Sequence, residues 1–143
     1  MANKQTKRYT QMIHKKGRKT RSMRTNMKKI IIGKIYADWC GHCVRLNPEW
    51  ESMKNMIKQN MGYSLKNVNI ELIELGDNKK NRAKNISVDQ LLFNFNQKHF
   101  PHGEKQIQSD GFPTIFKICR KKIEYYKGPR VASDMYKWVT QNC

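Results

Sequence analysis

Residues 36–50 read Tyr-Ala-Asp-Trp-Cys-Gly-His-Cys-Val-Arg-Leu-Asn-Pro-Glu-Trp, YADWCGHCVRLNPEW, and this stretch decides the reading of the whole chain. Immediately before it, KIIIGKIYA (29–37) is β-branched and apolar, as a buried strand requires. After it, Leu46, Trp50, Met53 and Ile57 recur at helical spacing, with Pro48 inside the pattern and a kink expected there. Cys40 therefore stands where a strand hands over to a helix. At such a junction unpaired backbone N–H groups and the helix dipole favour an anion. An ordinary thiol, pKa about 8.5, is a few per cent thiolate at neutral pH, and a helix N-terminus within Cys-X-X-Cys lowers that value. His42, between the two cysteines, adds donors or positive charge near the sulfur. Cys40 is expected to be the exposed nucleophile. Cys43, one turn inward past Gly41 and His42, is placed to attack a mixed disulfide formed at Cys40.

Two other uses of the pair are weighed. Zinc needs four ligands; His42, His99, His102, Cys119 and Cys143 supply candidates, but there is no second CxxC or HxxxH, and no metal or cofactor is expected. A structural disulfide across two residues would lock nothing distant. Thiol–disulfide exchange fits a CxxC in this strand–helix setting.

Further along, NVNIELIEL (67–75) alternates as a second strand. SVDQLLFNFNQKHF (87–100) opens with Ser87 and Gln90 in capping-box spacing, and Val88, Leu91, Leu92 and Phe95 form one helical face. TIFKICR and KIEYYK are two short strands joined by the basic turn Arg120-Lys121-Lys122, and Val131, Met135, Trp138 and Val139 share a face of a last helix. The βαβ half demands a parallel pair and the hairpin an antiparallel one. The expected class is α/β, a mixed four-stranded sheet flanked by helices.

The chain has 143 residues and a net charge of +18, unevenly placed: from Met1 to Lys29 there are eleven Lys or Arg and no acid. Residues 1–28 read as a basic, disordered arm, and 29–143 as one folded domain. The arm is either a solvated tail or a hold on nucleic acid or another polyanion by counterion release. The longest aliphatic run, Ile30-Ile31-Ile32, is far too short to span a bilayer, so no membrane partner is expected. No signal peptide is apparent, which points to the cytoplasm. Richness in Lys, Asn and Ile suits an AT-rich genome, and a virion location would follow were the gene viral.

These residues resemble the thioredoxin superfamily, and within it a catalytic domain of protein disulfide isomerase. The resemblance rests on YADWCGHCVRLNPEW, on GFPT (111–114) and on YYKGPRVASDMYKWV (125–139). It implies a thioredoxin fold, trimmed at the N-terminus, and an enzyme exchanging thiols with protein disulfides or dithiols and with a separate redox partner. It further implies that Pro113 is the family's cis-proline facing the CGHC pair, with Trp39 and Phe112 on the substrate side, and that Arg130 tunes the second cysteine. Three departures stand out. Lys34 occupies the position where the family buries an acid, and Glu71 or Glu74 on the neighbouring strand is expected to pair with it; snorkelling to solvent is the plainer reading. HFPHGEKQIQS (99–109) is an extra loop. Residues 1–28 do not fit the family's first strand and helix. Cys119 and Cys143 are expected to be one buried and one exposed, unpaired thiol, with a regulatory or intermolecular disulfide through Cys143 as the alternative. The rival to an enzyme is a thioredoxin-like module that binds nucleic acid through its arm.

Overall fold

The computed structural model describes residues 28–60, 67–103 and 105–141. The basic arm up to residue 27 and Cys143 lie outside these. In chain order the elements are β1 (Lys28–Ala37), α1 (Gly41–Asn60), β2 (Val68–Asp77), α2 (Lys79–Ala83), α3 (Val88–His99), β3 (Thr114–Cys119), β4 (Lys122–Tyr125) and α4 (Ala132–Thr140). The sheet order is β2-β1-β3-β4. β1 runs parallel to β2 and antiparallel to β3, and β3 is antiparallel to β4. This is the expected mixed four-stranded sheet.

Strand alternation sorts the core into two layers. Ile30 and Ile32 face α1 and α4, where Leu46, Trp50, Met53, Met135 and Val139 are buried. Ile31 and Ile35 face the other way, against Val88, Phe95, Phe100 and Ile107. Gly33 sits opposite Phe116, and a Cβ there would fall 2.0 Å from the Phe116 ring. Gly33→Ala is expected to destabilise the fold by about 1–3 kcal/mol, seen as a lower denaturant midpoint, because the ring must leave its rotamer.

Four local features differ from the expectations. Ser87 Oγ accepts from the Gln90 N–H at 3.1 Å, but the Gln90 side chain donates to Asn94 Oδ1 instead of reaching back, so only half of the capping box forms. Val131 is the N-cap of α4 and exposed, because the helix starts one residue later than the apolar spacing implied. The hairpin turns on Arg120 and Lys121, both at positive φ (53° and 63°), with Cys119 paired to Lys122; it is a two-residue turn of the type usually marked by Gly or Asn. Cys119 is buried but is disulfide-bonded, not a thiol.

The extra loop is fastened to the sheet's second layer. The buried Asn96 side chain donates to the Ile107 carbonyl (3.0 Å) and accepts from the Ile107 N–H (2.9 Å). Phe100 and Ile107 are themselves core residues, so the loop's ends are packed while residues 101–103 are exposed.

Candidate active site

Cys40 is the N-cap of α1: its carbonyl accepts the first helical bond, from Val44 N–H, at 3.0 Å. An N-cap side chain ordinarily supplies an oxygen to the N–H groups of the first turn, and here a sulfur does so. The Cys43 backbone N–H is the largest influence lowering the Cys40 pKa below the usual thiol value. The Cys43 S–H acts the same way; burial opposes both, and the His42 backbone N–H and the Arg45 charge add smaller lowering influences. His42 thus contributes through its backbone. Its ring Nδ1 lies 2.8 Å from Arg45 Nη2, and the nearby positive charge comes from Arg45, which motif reading did not single out. Gly41, exposed in the first turn, leaves the approach to the sulfur open.

Cys43 is 1% exposed. Burial pushes its thiol up, while the Ala37 N–H and the Lys34 charge pull it down. The two cysteines are free, one half-exposed with a lowered pKa and the other buried with a raised one.

Pro113 follows a cis peptide bond, Phe112–Pro113. The preceding carbonyl, Phe112 O, lies 3.6 Å from Cys40 Sγ, within reach of its S–H. GFPT and the CGHC pair, over seventy residues apart in sequence, therefore meet. Trp39 is 65% exposed and stands edge-on to Phe112, with centroids 5.9 Å apart. Its indole N–H donates to Asp77 Oδ2 at 2.8 Å. Arg82 spans Asp77 and Asp38 at 2.8 and 2.9 Å, and the Lys79 N–H also reaches Asp38. This clamp from the β2–α2 corner fixes the loop before Cys40, and spacing alone gave no sign of it.

Lys34 does not snorkel: it is 3% exposed. Its Nζ lies 3.4 Å from Glu74, its register partner on β2, and donates to Asn47 Oδ1 at 3.3 Å. Asn47 is one turn beyond Cys43 on α1, so the ammonium lies beneath the buried cysteine. Glu71 pairs with Lys29 instead. Arg130 is exposed on the rim of a cleft that also borders His42 and Pro113. Among the described residues no group of three or more His, Cys, Asp or Glu is placed to hold a metal ion, and no helix is long and apolar enough to cross a membrane.

The parallel βαβ unit, the N-capping CxxC sulfur and the facing cis-proline define a thioredoxin-type domain. The thioredoxin family model matches residues 19–91, just over half of the chain, and the chain belongs to that family. Its relatives include protein disulfide-isomerase of Ricinus communis, 29% identical over 112 residues, and protein disulfide isomerase-like 2-1 of Oryza sativa subsp. japonica, 28% identical over 117. These alignments take in 76% and 80% of this chain but 18% and 25% of the relatives, so the chain spans a quarter or less of their length. The crystal structure of human ERp44 superposes with a TM-score of 0.51 at 15% identity, over 84% of this chain and 30% of that one, a likeness of fold.

Proposed function

We propose that the chain is a thiol–disulfide oxidoreductase acting on protein disulfides through Cys40 and Cys43. The observation that carries this is a half-exposed sulfur, held toward the anion by first-turn N–H groups, beside the Phe112 carbonyl that precedes the cis-proline, and one turn from a buried free thiol. The Cys40 thiolate attacks one sulfur of a substrate disulfide. That S–S bond breaks, the other substrate sulfur leaves as a thiolate, and a mixed disulfide forms. Deprotonated Cys43 then attacks Cys40 Sγ, the mixed disulfide breaks, the second substrate sulfur leaves, and the Cys40–Cys43 disulfide closes. Two electrons have passed to the substrate, whose thiolates take up protons; the reverse sequence oxidises a substrate dithiol. A second redox protein or a small dithiol resets the pair.

A stabilised Cys40 thiolate favours the reduced form of the pair and so makes the couple more oxidising. Trp39, Phe112 and Pro113 form the surface that meets substrate. Lys34 from beneath and Arg130 from the cleft are the charges proposed to set how readily Cys43 gives up its proton. The test is reduction of insulin disulfides by dithiothreitol: the wild-type chain is expected to accelerate it well above the uncatalysed rate. No acceleration, with the Cys40–Cys43 pair shown to be reduced at the start, would refute the reading.

A further inference from the structure

We propose that the cleft beside Cys40 receives an acidic, extended polypeptide segment flanking the substrate's cysteine. This deepens the exchange reading and rests on it. The cleft encloses about 650 Å³, room for a few residues, and runs from the first turns of α1 past Pro113 to the loop after β4. Arg45 enters it from α1, and Lys127 and Arg130 enter it from the β4–α4 loop, all three exposed. Asp110 is the only carboxylate among the lining residues.

What sets these cations apart is that they line one cleft; like other surface cations among the described residues, Lys98 among them, they have no acidic partner in an ion pair. Elsewhere Arg82 is held by Asp38 and Asp77, Lys54 by Glu51 and Glu74, Lys34 by Glu74, and Lys117 by Glu124. Among the described residues neither Arg45, Lys127 nor Arg130 makes an ion pair with a carboxylate. Arg45 instead meets the His42 ring, and Lys127 lies over the Tyr125 ring at 6.0 Å. Three cations against the single carboxylate of Asp110 line one concave surface that borders His42 of the CGHC segment and the cis-proline Pro113. Acidic side chains placed there gain attraction, and basic ones meet repulsion, through both encounter rate and fit. The apolar pair Trp39 and Phe112 lies beside Cys40 and is not part of the cleft lining, so the charge preference belongs to one side of the substrate cysteine.

The experiment compares two disulfide-linked peptides of equal length, one with glutamates and one with lysines flanking the cysteine. Taking the ratio of their kcat/KM values within each protein cancels any change in Cys40 reactivity. For the wild type the ratio is expected to be about tenfold in favour of glutamate at low salt, collapsing toward one at high salt as screening sets in. Lys127→Gln and Arg130→Gln should each reduce it about threefold, and Lys127→Glu should reverse it. Lys98→Gln, at the end of α3 on the far face of the sheet, should leave it unchanged. A wild-type ratio within about twofold of one at low salt overturns the proposal. So does a ratio that Lys98→Gln lowers as much as the cleft variants do, because the overall charge of the chain is then the cause. Turnover of both peptides without preference sinks the cleft alone; turnover of neither sinks the exchange reading with it. The wild-type salt series needs no variant to fold.

Discussion

Cys40→Ser is expected to abolish catalysed disulfide reduction, whereas Cys43→Ser is expected to keep the first attack and stop there, so that a mixed disulfide with substrate accumulates as a covalent adduct on a non-reducing gel. The two serines are not equivalent because the two sulfurs are not. Cys40 carries the depressed pKa and the access; Cys43 carries neither. A drop of at least three orders of magnitude to the uncatalysed background is expected for Cys40→Ser, since a hydroxyl at this place is no thiolate. The same asymmetry governs alkylation: iodoacetamide should modify Cys40 at neutral pH and spare Cys43. The sign for stability follows from linkage. Because the folded Cys40 pKa lies below the unfolded one, its contribution to the reduced protein is fully present above the unfolded thiol pKa and is lost as pH falls through the folded value. Equal alkylation of both cysteines, or unaltered insulin reduction in Cys40→Ser, would remove the basis for naming Cys40 the nucleophile.

Lys34 is the site of the second large effect. Once Cys40 is tied up in a mixed disulfide, Cys43 no longer shares its proton with a neighbouring thiolate and must release it from a buried place. An ammonium beneath it cannot accept that proton but stabilises the anion left behind. The ammonium itself is paired with Glu74 on β2, which also bonds Lys54 on α1, and among side-chain charges Lys34 is the one that favours the Cys43 anion. Lys34→Met preserves the volume and, since Glu74 keeps Lys54 at 3.1 Å, should change stability little. Resolution of the mixed disulfide should slow about tenfold at neutral pH and recover as pH rises, read as the first-order phase in stopped flow. Lys34→Glu instead sets two carboxylates against each other in a buried place and is expected to cost about 3–5 kcal/mol. The exchange Lys34→Glu with Glu74→Lys should regain most of that stability. A Lys34→Met protein with wild-type resolution at every pH would reduce the lysine to packing.

What the sequence made legible was local or followed from strand register. The CxxC reading needed only the strand before and the helix after. Opposition of Pro113 and Cys40 followed from a resemblance, and the Lys34–Glu74 pair from placing two charged residues on adjacent strands. The Arg82–Asp77–Trp39 clamp was not legible, because it joins side chains thirty-eight and five residues apart through tertiary proximity. Helix α2, Lys-Lys-Asn-Arg-Ala, buries none of its residues, so it offers no apolar period; it is capped by Asn78, whose side chain accepts from the Asn81 N–H. The Arg120-Lys121 turn lacks the residues that advertise positive φ. Arg45 was missed because a helical arginine carries no mark that it faces a sulfur one turn away.

The double hydrogen bond between Asn96 and Ile107 has a bearing on how a guest is received. One amide from behind the sheet immobilises the strand of chain that leads to the cis-proline, so that wall is already shaped when the partner arrives. The ordering entropy of this wall is met during folding and not at each encounter. Selection then falls to what the guest brings, its charge and its sulfur, more than to any moulding of the host around it.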